Sequence, residues 1–137
     1  VYRNFESKDE LIAAILTRRV ERLEADITDA LEREDPGVAF RDMLRNSAAR
    51  ANDLSFPASI YWEGSTPELE AAKQRVAKGM AKLLRAAKKN GAIRRDAKAE
   101  EIWLQFGGVC RALAETGEKD PKVWRRHADL TADAFRP

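Results

Sequence analysis

Residues able to carry covalent or acid–base chemistry are few in this chain, and they stand apart. Cys110 is the sole cysteine and His127 the sole histidine. A nucleophile therefore has no histidine spaced beside it to act as base, and no zinc set can be assembled. There is no H-E-x-x-H motif and no glycine loop suited to cradling phosphate. Glu100 and Glu101 are adjacent at a helix start, where they complement the helix dipole rather than form a catalytic pair. Cys110 reads as a small hydrophobe. Enzymatic function and a cofactor are thus not expected, and a helical-bundle enzyme is the weakest functional class.

Recognition chemistry is better represented. Tyr2 and Lys8 are of types that reach phosphate oxygens, and a helix N-terminus around Ser7 and Lys8 adds amide donors. A basic series runs Lys73, Arg75, Lys78, Lys82, Arg85, Lys88, Lys89, Arg94 and Arg95. Its spacing follows the polar side of one amphipathic helix and the turn beyond, so it reads as a solvated face rather than a nucleic-acid strip. The apolar and aromatic residues Phe40, Met43, Phe56, Tyr61, Trp62, Met80, Leu84, Trp103, Phe106 and Cys110 are the candidates for walling a small-molecule cavity. Tyr61, Trp62 and Phe106 rank first, with Asn52, Glu63 and Gln105 as polar anchors. At helical spacing the same residues also suit a plain core.

The elements that position these groups are helical throughout, so the fold class is all-α. Sustained apolar/polar alternation is absent, and Ala, Leu, Glu, Lys and Arg dominate. Ser7 and Glu10 form an S-x-x-E capping box before a stripe of Leu11, Ile15, Val20, Leu23, Ile27 and Leu31. Asp35 and Pro36 open a second helix carrying Phe40, Met43, Leu44 and Ser47. The aromatic segment from Ser55 to Glu68 is read as one or two helical turns between loops. Thr66 and Pro67 start a long helix with Leu69, Ala72, Val76, Met80, Leu83, Leu84 and Ala87 facing inward, and Gly91 ends it. Asp96 is expected to cap the next helix and Gly117 to close it, with Asp120 and Pro121 opening the last. Gly107 and Gly108 cost about 1 kcal/mol each inside a helix, which points to a close helix–helix approach.

The 137 residues make one domain, able to bury roughly two-thirds of its unfolded surface. A lone cysteine suits a reducing cytoplasm. With 35% charged residues and a net charge of +2, the balance neither demands nor forbids nucleic acid. No apolar run approaches the roughly 20 residues of a membrane span, so no membrane partner is expected.

Three stretches resemble the TetR family of bacterial transcriptional regulators. At the start, Tyr2, Phe5, Ser7, Lys8, Asp9, Glu10 and Leu11 are similar to the junction between its recognition helix and first long helix. Gly91, Ile93, Arg94 and Asp96 resemble a turn between two helices of its C-terminal domain. The closing ADLTADAFRP resembles its last, dimer-forming helix, with Ala134 where Gly is more usual. The resemblance implies a C-terminal helical bundle of five to six helices, dimerising through the last two. It further implies that residues 1–7 are the end of a helix-turn-helix head whose remainder is absent, and that residues 8–137 bind ligand and dimerise. Tyr2, Arg3, Asn4 and Lys8 would then contact operator double-stranded DNA. Gly108, Arg111, Ala112 and Glu115 would meet Trp124, Ala128, Thr131 and Phe135 across a homodimer seam.

The resemblance thus implies a cytoplasmic, ligand-responsive DNA-binding regulator, a repressor released from its operator by a small apolar or aromatic effector. The alternative is a helical dimerisation or adaptor module with a packed core and no effector.

Overall fold

The computed structural model describes residues 7–53 and 66–137, residues 51–53 by backbone alone. Among them are five helices: α1 (Lys8–Leu31), α2 (Pro36–Asp53), α3 (Pro67–Lys89), α4 (Ala99–Glu115) and α5 (Pro121–Ala134). The fold is all-α, as expected, and none of these helices is long and apolar enough to cross a membrane. The aromatic segment between α2 and α3 lies outside the described residues.

Each helix starts where a side chain satisfies orphan amides. Ser7 Oγ accepts from the Glu10 amide at 3.1 Å, and Thr66 Oγ1 accepts from Leu69 N at 3.2 Å. Asp35 Oδ1 takes the amides of Gly37 and Val38 at 2.9 and 3.1 Å, and Asp120 Oδ1 takes that of Lys122 at 2.9 Å. Such caps are worth about 1 kcal/mol apiece. The α4 start differs from expectation. Asp96 does not cap it but binds Arg94 Nε at 2.6 Å, while Glu101 Oε1 reaches back to Lys98 N at 2.8 Å. The pull of the neighbouring guanidinium outweighs a cap, and α4 begins at Ala99. Gly91 and Gly117 end α3 and α4 at φ of 81° and 75°, the left-handed conformation that only glycine adopts cheaply.

Packing is organised around α2, which touches all four other helices. Its Ala39, Phe40, Met43, Leu44 and Ala48 are all buried. The most extensive pairs are α1 with α3 and α2 with α5. All seven inward residues expected on α3 are buried. The α1 stripe is only partly so: Ile27 is buried with Ala13 and Ala30, whereas Ile15 and Leu31 are exposed. Ile15 and Val20 are five residues apart, which at about 100° per residue puts Ile15 some 140° off the stripe. Trp124 is buried at the α5 start and donates its ring N–H to the Glu118 carbonyl at 2.9 Å, fastening the α4–α5 turn.

Close approach of helices falls at Gly79 rather than at the α4 glycines. A Cβ on Gly79 would sit 2.8 Å from Ile27 Cγ2, where α3 crosses α1. Polar ties bind the helices at their edges. Arg41 donates to the Asp129 carbonyl at 3.3 Å and to the Asp133 carboxylate, joining α2 to α5. Arg75 Nε meets Glu24 at 2.7 Å, joining α3 to α1.

Gly79→Ala is expected to lower stability by about 1 kcal/mol in urea unfolding. Overpacking against the stiff, buried Ile27 costs about 1–3 kcal/mol and outweighs the roughly 1 kcal/mol gained in helix propensity. A second expectation concerns pH. The Arg41 hydrogen bond and charge hold the Asp133 carboxyl below its ordinary range. Its contribution is therefore present above the unfolded carboxylate pKa of about 3.9 and is lost as pH falls through the lower folded value. Asp133→Asn should be less stable than the parent at pH 7, and the two denaturation curves should converge as the pH drops below about 3.9 through that lower folded value.

Candidate functional site

Helices α1 and α4 both lean on the rest of the bundle but are not among its closely packed pairs. The space left between them, floored by α2, is a cleft of about 500 Å³. That volume lies within the usual range for small-molecule sites, roughly 300–1,000 Å³. From α1 come Arg19, Val20, Arg22 and Leu23, adjacent turns of one face. From α2 come Ser47 and Arg50, three residues apart and so on one side of the helix. Trp103, Phe106 and Cys110 form the α4 wall at three- and four-residue steps, with Leu104, Gly107, Gly108 and Arg111 beside them.

The body of the cleft is apolar and its polar groups are few. Cys110 is buried, and burial pushes its thiol up to about 12, so it is a wall atom and not a nucleophile. Ser47 Oγ is shielded from solvent and has no hydrogen-bond partner among the described residues. Four arginines and no acidic residue line the cleft among the described residues. Arg50 is held in a two-pronged bond by Asp26 of α1, its Nη2 lying 2.6 Å from Oδ1, and that carboxylate side chain is 9% exposed. Arg111 Nε is bound to Glu115 at 2.9 Å. Burial lowers the pKa of Arg19, a sign that its guanidinium has been drawn partly out of water.

Of the residues expected to meet ligand, Trp103, Phe106 and Cys110 lie on this cleft. Met43, Met80 and Leu84 are not on its wall: all three are buried in the common core. Phe40 is also core, and it borders a smaller cavity of about 290 Å³ near Gly37 and Gly91. Phe56, Tyr61 and Trp62, and the anchors Asn52 and Glu63, lie outside the described side chains, while Gln105 is exposed and off the cleft. The contribution of α1 was not anticipated. Arg19 and Arg22 flank Val20 and Leu23, but their pattern is that of any amphipathic helix.

Of the DNA-contact candidates, Lys8 is exposed at the start of α1, and Tyr2, Arg3 and Asn4 lie outside the described residues. The dimer candidates divide. Gly108, Ala112 and Glu115 are exposed and Arg111 half-buried. Trp124, Ala128, Thr131 and Phe135 instead point into the subunit, at 1–7% exposure. The apolar side of α5 faces its own core because α2 lies along it, so those four are not available to a partner. Nor do Gly107 and Gly108 mark a close approach within the subunit, since a Cβ on either would meet nothing within 4 Å.

Residues 35–137 match the family model described as the C-terminal domain of SbtR-like transcriptional regulators. The crystal structure of the TetR transcriptional regulator SCO0520 from Streptomyces coelicolor has a similar fold. Its TM-score is 0.67 at 24% identity, over 99% of this chain and 78% of that one. No curated protein sequence matches the chain. The family-model match, over most of the chain, sets its class as the C-terminal domain of a transcriptional regulator. The chain belongs to the TetR family of transcriptional regulators, through an SbtR-like C-terminal domain.

Because space surrounds its Cβ position, Gly107→Ala is expected to raise stability by about 1 kcal/mol, the opposite sign to the same substitution at Gly79. Thermal unfolding should move upward by roughly 4 °C. An unchanged or lowered midpoint would show that another group occupies that space.

Proposed function

We propose that this chain is the sensing and dimerising part of a ligand-responsive, DNA-binding repressor acting in the cytoplasm as a homodimer. The observation that carries the reading is the cleft between α1 and α4. Leading out of the bundle from its Ser7 cap, α1 is the element that would carry a DNA-binding head. Its far half is fastened to α3 by the Gly79–Ile27 contact and to α2 by the Asp26–Arg50 pair. A small apolar or aromatic effector entering the cleft pushes against the unfastened side of α1. Tilting that helix separates the two heads of the dimer. Half-sites one helical turn apart, about 34–36 Å, are then no longer matched.

A homodimer seam built on the outer face of α4 and α5 is supported by two large apolar side chains left in the open. Leu104 is 73% exposed and Leu130 42%. Gly108, Ala112 and Glu115 continue the Leu104 face at three- and four-residue steps. Tyr2, Arg3, Asn4 and Lys8 are proposed to contact the operator backbone. The competing reading, a dimerisation module with no effector, predicts a filled interior, and a 500 Å³ cleft disfavours it.

A thermal-shift screen of the full chain against metabolites, lipids and aromatic compounds tests the sensor role. A ligand at a hundred times its Kd should stabilise the fold by about 2.7 kcal/mol. Gly107→Trp, which fills the cleft without removing a contact, should abolish the shift and leave the unliganded midpoint nearly unchanged. Hits that persist in Gly107→Trp, or a screen without hits, would sink the effector role and favour the dimerisation module. In sedimentation, Leu104→Glu with Leu130→Glu should convert dimer to monomer. A dimer that survives the double change would place the seam elsewhere.

A further inference from the structure

The arginines of the cleft specify the chemistry of its occupant. We infer that the cleft takes an amphiphilic anion: an aromatic or aliphatic body carrying one small acidic head group. This rests on the effector reading given above and names the ligand class.

The argument is one of unbalanced charge at an apolar wall. Arg19, Arg22, Arg50 and Arg111 all line the cleft, and no acidic residue does so among the described residues. Asp26 and Glu115 answer Arg50 and Arg111 from outside the lining. Arg22 forms no ion pair among the described residues, and its main-chain carbonyl accepts from Arg50 Nη1 at 3.4 Å, so Arg22 and Arg50 are neighbours on the rim. Arg50 spends three of its five N–H groups on Asp26 and that carbonyl, which leaves two to donate. Ser47, one helical turn from Arg50, adds a hydroxyl lacking a partner among the described residues.

Guanidinium groups are weakly hydrated, stay charged and bind carboxylate, sulfonate or phosphate oxygens in pairs. Held beside an apolar wall, they discriminate strongly between an acid and its neutral analogue. The neutral molecule would dehydrate the arginine edges and give nothing back. Trp103, Val20 and Leu23 provide the surface for the apolar body. Arg22 is the primary receptor for the head group, because it alone of the four has its whole guanidinium uncommitted by the ion pairs named here or by burial.

Two fluorescent probes with one skeleton test this: 1-anilinonaphthalene-8-sulfonate and its neutral parent, N-phenyl-1-naphthylamine. Titrated into this chain, the sulfonate should bind at least tenfold tighter than the parent. Arg22→Ala should remove most of that advantage and leave the parent's affinity within about twofold. Gly107→Trp should abolish both, and circular dichroism of each variant checks that the fold is intact. Equal binding of the two probes, both lost in Gly107→Trp, would overturn the anionic class and leave the effector cleft standing. A sulfonate preference untouched by Arg22→Ala would overturn the assignment of the head group to this rim. Binding of neither probe would overturn both readings.

Discussion

The structure depends on the burial of one helix. Along α2, Ala39, Phe40, Met43, Leu44 and Ala48 are removed from solvent almost completely, and every other helix of the described chain packs against it. Two of these positions are alanine, which lets neighbouring backbones come close from opposite sides. Because α1 and α4 approach α2 from different directions, each can bury its apolar stripe without meeting the other. The cleft is the geometric remainder of that arrangement. Helix α1 packs most extensively on α3, and α4 leans on α5 as well as on α2, so each is held by other neighbours more than by the other and the angle between them is left open.

Polar contacts set the register of this hub without driving its formation. The Arg41, Arg50 and Arg75 side chains each tie one helix to another, and each is at least partly exposed. Surface ion pairs are worth about 0–1 kcal/mol, far less than the apolar burial they border. Their value lies in direction: the planar guanidinium fork fixes where a carboxylate must sit. The Asp26–Arg50 pair is the most shielded of the three, and it stands at the edge of the cleft. The same residue type therefore serves both as a structural tie and as the charged rim of the cleft.

Glycine carries opposite meanings in two neighbouring helices. At Gly79 the absence of a Cβ lets α3 settle on Ile27 of α1. Along α4, Gly107 and Gly108 face open space, so their helix-weakening cost is not offset by packing inside the subunit. They thin the wall of the cleft where Trp103, Phe106 and Cys110 thicken it, and Gly108 also lies on the outer face that carries Leu104.

Much of the fold was legible from local chemistry. Capping residues at Ser7, Asp35, Thr66 and Asp120, the glycines at 91 and 117 and the seven-residue stripe of α3 are all decided within a few residues of chain, where propensity and hydrogen-bond geometry act. Where two local signals competed, as for Asp96 between capping and pairing with Arg94, sequence reasoning chose the wrong one. Of the cleft, only the α4 wall of Trp103, Phe106 and Cys110 was among the residues expected to border a cavity, because a periodic aromatic face must meet something. Whether that something is core or cavity is not a property of the helix. Met43, Met80 and Leu84 have the same periodicity and became core. Trp124, Ala128, Thr131 and Phe135 looked equally fit for a partner and turned toward α2. Local sequence alone determined that this chain would be a set of capped amphipathic helices. Which faces were covered, where α1 and α4 stayed apart, and hence which arginines border an empty space, only the tertiary packing decided, because burial depends on distant neighbours that no local pattern names.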